Sequence, residues 1–295
     1  MKKLTVFTPT YNRADCLIQC YESLKRQSCK DFTWLIIDDG STDDTRQMVN
    51  EWKKEKEIDI HYHYQGNQGM HGAHNTAYGI IETELNVCID SDDFMPDDAV
   101  EKILNFWEKH GSDEVSGIMG LDATNKNEVI GTRFPQDLRT TTLFDLYNKH
   151  DVKGDKKLVY RSKLTRKYPY PTFADEKYVG LAYKYHMLDK DYEMLLMNEI
   201  LCYVEYLPDG SSRNMLKQYR RNPQGFSFYR KELMKLPFAN RLFKFRQAIH
   251  YVSSSMLSKN KRFLLETPDK LLTILALPIG TILFLYITSK TADAT

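Results

Sequence analysis

Three acids within four positions, Asp90, Asp92 and Asp93, follow directly on the apolar run Val87-Cys88-Ile89. The run reads as a buried strand, and unpaired carboxylates are too costly to bury, so the acids are expected at the strand's carboxyl end, at the mouth of a cleft. Gathered there they repel one another unless a cation sits among them, and hard carboxylate oxygens suit Mg²⁺ or Mn²⁺ better than Zn²⁺. A helix start accounts for Pro96 with Asp97 and Asp98, but it leaves the earlier three acids unexplained. A second pair, Asp38-Asp39, closes another apolar run in the same way. In an open α/β sheet, ligands bind where the strands end. One carboxylate accepting from a base or ribose, and a second cluster holding a metal across two phosphates, together describe a nucleotide-diphosphate site. No Gly-x-Gly-x-x-Gly follows the first strand and no Gly-x-x-x-x-Gly-Lys-Ser/Thr occurs, so neither a dinucleotide fold nor a P-loop is supported.

The elements that must position these acids alternate for about 120 residues. Strands are predicted over residues 4–8 (closed by Pro9), 32–37, 58–64, 85–89 and 116–121, and helices over 14–27, 41–52 (with Ser41 as N-cap), 70–81 and 99–107. This is an α/β pattern, a mostly parallel sheet with helices on both faces. Residues 122–171 read as loops and short elements against a sheet edge. Residues 175–188 read as helix, and 192–197 and 200–207 as two late strands about an Asn-Glu turn. Cys16 and Cys20, at i, i+4 spacing, belong to a helix's core face. His61 and His63, and His71 and His74, find no further zinc ligands and read as strand and helix surface.

Four motifs, in order, resemble those of family 2 glycosyltransferases, which have the GT-A fold. They are Val6-Phe7-Thr8-Pro9-Thr10-Tyr11-Asn12-Arg13, Ile36-Ile37-Asp38-Asp39-Gly40-Ser41-Thr42-Asp43, Asn67-Gln68-Gly69 with Ala73 and Asn75, and Asp90-Ser91-Asp92-Asp93. The likeness continues more loosely through Tyr168-Pro169-Tyr170-Pro171 and Glu176-Lys177-Tyr178-Val179. The resemblance implies an inverting transferase that uses a nucleotide-activated sugar and a divalent cation, Mg²⁺ or Mn²⁺. It places Pro9, Tyr11 and Arg13 around the nucleotide, Asp39 on the base (most often uracil), and Asp90, Asp92 and Asp93 as the Asp-x-Asp group. These acids share ribose contact, through Asp90 and Asp92, and metal coordination, through Asp92 and Asp93. A single displacement also needs a general base for the acceptor hydroxyl. The candidates are Asp175 and Glu176. Where relatives of this type continue Val-Pro-Glu, this chain has Val179-Gly180-Leu181, so Leu181 stands in place of an acid. The Gln-x-x-Arg-Trp motif of processive synthases is also absent, because Gln218-Tyr219-Arg220-Arg221 is followed by Asn222. Transfer of one sugar is therefore expected rather than polymerisation.

The net charge of +1 on 295 residues hides an asymmetry. Residues 213–270 hold 14 Lys/Arg against three acids, whereas residues 1–212 hold 26 basic and 36 acidic residues. A transferase domain over 1–212 and a helical, basic region over 213–295 are expected, the latter with an anionic partner. No nucleic-acid motif accompanies the charge. Residues 271–287 carry no charge and include Pro278 and Gly280. Their length lies at the lower limit for a span, and basic neighbours favour an anchor at an anionic, cytoplasmic membrane face. Five cysteines without Cys-x-x-Cys, and an N-terminus without an export signal, fit a reducing compartment. Arg213, Arg220 and Arg221, after the loop at residues 209–212, are candidates to close over a diphosphate. The expected activity is thus sugar transfer to a glycan or lipid-linked acceptor in bacterial surface polysaccharide assembly. The rivals are a nucleotidyltransferase of related fold, which would want a Gly-rich, Lys/Arg-bearing loop after strand one, and a non-catalytic nucleotide-sugar or membrane-surface binding protein.

Overall fold

The structure is a computed structural model that describes residues 2–205 and 214–292. The described residues fall into two compact units. The first comprises Met1–Gln68, Gly72–Pro169 and Asp191–Tyr206, and the second Gly69–His71, Tyr170–Lys190 and Leu207–Thr295.

In chain order the first unit contains β1 (Leu4–Thr10), α1 (Ala14–Lys25), β2 (Phe32–Asp38), α2 (Thr45–Glu55), β3 (Ile60–Tyr64), most of α3 (Met70–Ile80), β4 (Leu85–Cys88) and α4 (Ala99–His110). It continues with β5 (Val115–Ala123), β6 (Thr140–Thr141), α5 (Leu143–Asn148), β7 (Lys156–Arg161) and α6 (Ser162–Thr165). After α7 (Ala182–Leu188), which belongs to the second unit, β8 (Glu193–Tyr203) completes the sheet. The strand order is β3-β2-β1-β4-β7-β5-β8-β6. β3, β2, β1 and β4 are parallel, β5 and β8 are parallel to each other, and β7 lies antiparallel between β4 and β5.

β1 and β2 are buried along their whole length, as expected of central strands covered on both faces. α1 and α2 pack an aromatic stack on the sheet, with Tyr21 and Trp52 ring centroids 4.3 Å apart and Trp34 5.8 Å from Trp52. Trp34 Nε1 donates to Thr8 Oγ1 at 3.0 Å, so its one polar atom is satisfied in the core.

Several sequence expectations are corrected. Pro9 does not close β1; it pairs opposite Ile37, and the strand runs on to Thr10. The Thr10 carbonyl faces β2, where Asp39 N–H donates to it, and the Phe7 carbonyl faces β4, where Ile89 N–H donates to it. Pro9 therefore turns its missing N–H toward β4, whose pairing has already ended at Phe7, and no ladder bond is lost. Residues 156–161, read as edge loop, form β7 inside the sheet. The two late strands are one, β8, running straight through Asn198-Glu199. Register shifts against β5 absorb the polar pair there, and the Asn198 amide accepts from Phe134 N–H at 2.9 Å and donates to its carbonyl at 3.1 Å. Ser41 is not a cap; α2 begins at Thr45, and Ser41 Oγ accepts from Asn12 N–H at 2.9 Å. His71 and His74 are buried rather than on a helix surface, His74 edge-on to Phe7 and Tyr78.

The second unit contains α7, α8 (Met215–Arg221), α9 (Pro223–Met234), α10 (Arg241–Leu257), α11 (Phe263–Glu266) and α12 (Lys270–Lys290). Its core gathers Met234, Ala248, Tyr251, Val252 and Ala276. The helix predicted over residues 175–188 starts only at Ala182: Asp175 takes a left-handed backbone (φ 62°) inside the Phe173–Glu176 bridge, and Lys177 N–H donates to the Asn222 side chain instead of to a helical carbonyl.

Candidate active site

In the first unit, β2, β1 and β4 are neighbours and parallel, so the residues after Asp38, Thr10 and Cys88 all emerge at one end of the sheet. The loops there are tied together. Asn12, left-handed at φ 50°, accepts from Thr42 N–H at 2.8 Å, and its own N–H donates to Ser41 Oγ. Asp43 accepts from Ala14 N–H at 3.0 Å, capping α1 from a different loop, and from Thr45 Oγ1 at 2.6 Å. Burial opposes its ionisation, but the bonds from Thr45 and Ala14 outweigh this and hold Asp43 below the usual carboxylate range.

The two acids after β2 divide their work. Asp38, fully buried, accepts from Ser41 N–H at 2.8 Å and from the Tyr62 hydroxyl at 2.5 Å, which fixes the turn. Asp39 accepts through Oδ1 from the Gln65 side chain at 2.7 Å and from Gln68 N–H at 2.9 Å, which fixes its carboxylate at the strand end. Gly40 needs its positive φ of 92° to turn the chain away.

The acids after β4 also divide. Asp90 is half-buried and accepts from Cys88 Sγ at 3.7 Å. Asp92 is half-buried and lies 3.1 Å from Arg13 Nη1, at the head of α1. Asp93 is buried: Lys157 Nζ stands 3.8 Å away, Glu205 N–H donates at 3.3 Å and Cys202 Sγ donates at 3.8 Å. Burial, reinforced by Asp90 and Asp92 and opposed by Lys157, pushes the Asp93 carboxyl up to about 7. Lys157 also stands 3.8 Å from the buried Asp122. Burial works against its charge, but Asp122, Cys202, Asp93 and Asp90 together hold it well above the ordinary lysine range. The loop carrying the acids is pinned by Phe94, which exchanges backbone bonds of 3.1 and 2.7 Å with Tyr203 at the end of β8.

Lys157 is the functional-site residue that the sequence reading missed. Its signal was the apolar Leu158-Val159-Tyr160 behind two lysines, a short strand disguised by its charged head. Pro9, Arg13, Asp39, Asp90, Asp92 and Asp93 all lie at the strand ends just described, and Tyr11 is exposed beside them. Among the described residues, no three His, Cys, Asp or Glu side chains form a ready metal cage. The donor set still fits Mg²⁺ or Mn²⁺, which are commonly held by one or two carboxylates with substrate phosphates and water completing the shell. Burial is the main cause of the raised Asp93 carboxyl, and the neighbouring charges of Asp90 and Asp92 add to it.

In the second unit, Glu176 is buried, and both its oxygens accept at 2.8 Å, one from Gln224 N–H and the other from Gly225 N–H. It thus caps the N-terminus of α9, and Asn222 reciprocates by accepting from Lys177 N–H at 2.8 Å. A side chain at Gly225 would meet the Tyr178 carbonyl at 2.2 Å, so this latch requires glycine. Asp175, the residue before, is exposed. The Leu181 carbonyl accepts from the Tyr170 hydroxyl at 2.9 Å. Arg220 donates to Thr288 Oγ1 at 3.5 Å, Arg221 is exposed, and Arg213 and the loop at residues 209–212 lie outside the described residues.

A mostly parallel sheet with carboxylates gathered where its central strands end is a GT-A-type α/β fold. Two solved structures resemble it across almost the whole chain. Staphylococcus aureus TarS in complex with UDP-GlcNAc has a TM-score of 0.60 at 18% identity over 94% of this chain and 80% of that one. The mannosyltransferase PcManGT from Pyrobaculum calidifontis, in complex with GDP-Man and Mn²⁺, has a TM-score of 0.56 at 16% identity over 96% and 87%. The chain belongs to glycosyl transferase family 2, whose model matches residues 5–168. Among its relatives is a poly(ribitol-phosphate) beta-glucosyltransferase of Bacillus spizizenii, 31% identical over 118 residues, which are 39% of this chain. The match spans only 19% of that relative's length.

Proposed function

We propose that this protein is an inverting, metal-dependent glycosyltransferase. It moves one sugar from a nucleotide-diphosphate sugar, with UDP as the nucleotide, to a glycan or lipid-linked acceptor in bacterial surface polysaccharide assembly, at the cytoplasmic face of the membrane. The observation that carries this reading is the placement of Asp39 and of Asp90 with Asp92 at the same end of adjacent parallel strands, β2-β1-β4. The family membership and the nucleotide sugars bound by the two similar structures support it.

In this reading Asp39, held by Gln65 and Gln68, accepts from the base, and Pro9 and Tyr11 line the nucleotide. Asp90 contacts the ribose. Asp92 and Asp90 would hold the metal, while Asp93, engaged by Lys157, would set the loop. When bound, Mg²⁺ or Mn²⁺ supplies positive charge against the leaving diphosphate. Arg13 adds a guanidinium on the same side. The acceptor oxygen attacks the anomeric carbon from the face opposite the diphosphate and gives its proton to a carboxylate. The bond from carbon to phosphate oxygen breaks, and its electron pair leaves with the nucleoside diphosphate. Asp175 is the better base, because both oxygens of Glu176 are spent on α9. The transfer chemistry is assigned to residues 1–212, including Tyr170–Lys190, which groups with the C-terminal helices. Residues 213–295 serve the membrane side.

The test is release of nucleoside diphosphate from a panel of nucleotide sugars with Mn²⁺. One donor consumed by the wild type and spared by Asp175→Asn supports the reading. No donor consumed, or nucleotidyl transfer instead, overturns it.

A further inference from the structure

α12 is built inside out. Its buried positions are Thr273, Ala276, Gly280 and Ile287, three of them small or polar. Its exposed large apolar residues are Leu271, Ile274, Leu275, Ile279, Ile282, Leu285 and Tyr286, with Leu271 and Ile282 each 66% exposed. These recur at spacings of three and four, so they form one continuous stripe along the helix. A soluble core helix does the reverse, and isolated exposed leucines are ordinary where such a stripe is not. The small face is committed to α10: a Cβ on Gly280 would lie 2.6 Å from Val252, and Ala276 joins Ala248, Tyr251 and Val252 in the core.

The charges around this stripe are mostly basic; Glu266 at the end of α11 and Asp269 at the head of α12 are the exposed acids beside it. Lys259, Lys261 and Arg262 precede α11, all exposed, and Lys270 and Lys290 bound α12 at its two ends. Arg241 and Arg246 on α10 are exposed as well. A second copy of the chain meeting this face with its own would set cation against cation. An anionic bilayer complements it.

We propose that the second unit docks on an anionic lipid bilayer with α12 lying in the plane of the interface, its Leu/Ile stripe inserted and its basic ends at the headgroups. This deepens the membrane part of the function proposed above and does not rest on the donor chemistry. α12 is about 30 Å long, enough to cross the hydrocarbon, but its back is packed on α10. Crossing would draw α10 in too, with Arg241, Lys244, Arg246, Gln247 and the Ser253-Ser254-Ser255 run, and charges at bilayer depth are expensive. Lying flat, the helix buries its stripe roughly 5–10 Å deep and leaves α10 in water.

The test uses the full chain with phosphatidylcholine vesicles, with and without phosphatidylglycerol. Binding is expected only with the anionic lipid, and Lys259→Gln with Lys261→Gln and Arg262→Gln is expected to weaken it about fivefold per charge. Ile279→Glu with Ile282→Glu, on the exposed stripe where folding is not at stake, is expected to abolish it. Tryptophan placed singly at Leu271, Ile279 and Tyr286, and quenched by lipids brominated at different depths, is expected to report one shallow depth at all three sites. A gradient with Ile279 deepest overturns the proposal in favour of a span. Failure to bind either vesicle overturns it too, and a concentration-dependent dimer lost in the glutamate variant would assign the stripe to a second copy. Because binding is read without any sugar donor, loss of transfer activity and loss of docking are told apart.

Discussion

Arg13 and Asp92, separated by 79 positions in sequence, meet at 3.1 Å where the head of α1 faces the loop after β4. Both side chains are about one quarter exposed, at 26% and 22%. A half-solvated pair of this kind contributes roughly 1 kcal/mol or less to stability. It is therefore cheap to exchange, and a diphosphate or a cation arriving here can take either partner. Arg13→Ala is expected to change stability by less than about 1 kcal/mol while raising the KM for the donor about tenfold or more. Thermal unfolding and donor titration check both halves; an unchanged KM would remove Arg13 from the site.

Neighbouring acids in the second unit are expected to part company. Asp175→Asn should lower kcat by about 10²–10⁴ with little change in stability, as a general base does. Glu176→Ala should instead cost about 1–3 kcal/mol, since two N–H groups at the head of α9 lose their carboxylate. Denaturant unfolding beside steady-state kinetics separates them. Equal loss of kcat in both without loss of stability in Glu176→Ala would contradict the assignment.

Lys157 serves Asp93 and Asp122 at once, so removing it leaves two buried carboxylates without their cation. Lys157→Met is expected to destabilise by about 3–5 kcal/mol, and adding Asp93→Asn should recover part of the loss. A double variant as unstable as the single one would show that the pair does not carry this energy.

Lys184 gives the second unit a pH signature. It is fully buried in α7, with Nζ 5.0 Å from the Tyr170 ring centre, and burial pushes it down to about 7. A lysine whose folded value lies below its unfolded 10.5 penalises the fold wherever it is charged in both states, below about 7. That penalty, on the order of a few kcal/mol, fades as pH rises from 7 toward 10.5. Lys184→Met should therefore be more stable than the wild type at pH 6 and show a flatter stability profile between pH 7 and 10. A variant with the wild-type slope would assign the pH dependence elsewhere.

The two strands that carry the acids of the first site were legible because each is an apolar run stopped by acids, at Ile37-Asp38 and Ile89-Asp90. Burial and charge repulsion are local enough to read from composition. β7 was not legible, because Lys156 and Lys157 at its head resemble a solvated edge; their burial is explained by Asp122, Asp93 and backbone carbonyls such as that of Lys153, 2.7 Å from Lys156 Nζ. The division between Asp175 and Glu176 was equally hidden, since the head of α9 lies 48 positions further on. The apolar length of α12 was plain in sequence, but which face it shows depends on its packing against α10. Asn198-Glu199 misled because a polar pair breaks a strand only when nothing pairs with it, and Phe134 does.

Asp92, at the carboxyl end of β4, is proposed to bring a divalent cation to a nucleoside diphosphate. Calorimetric titration of UDP into the wild type and Asp92→Ala, each with and without Mn²⁺, tests it most directly. Saturable binding that needs Mn²⁺ and weakens about tenfold or more in Asp92→Ala is the predicted result. Binding of equal strength without the metal, or unchanged in Asp92→Ala, would contradict it.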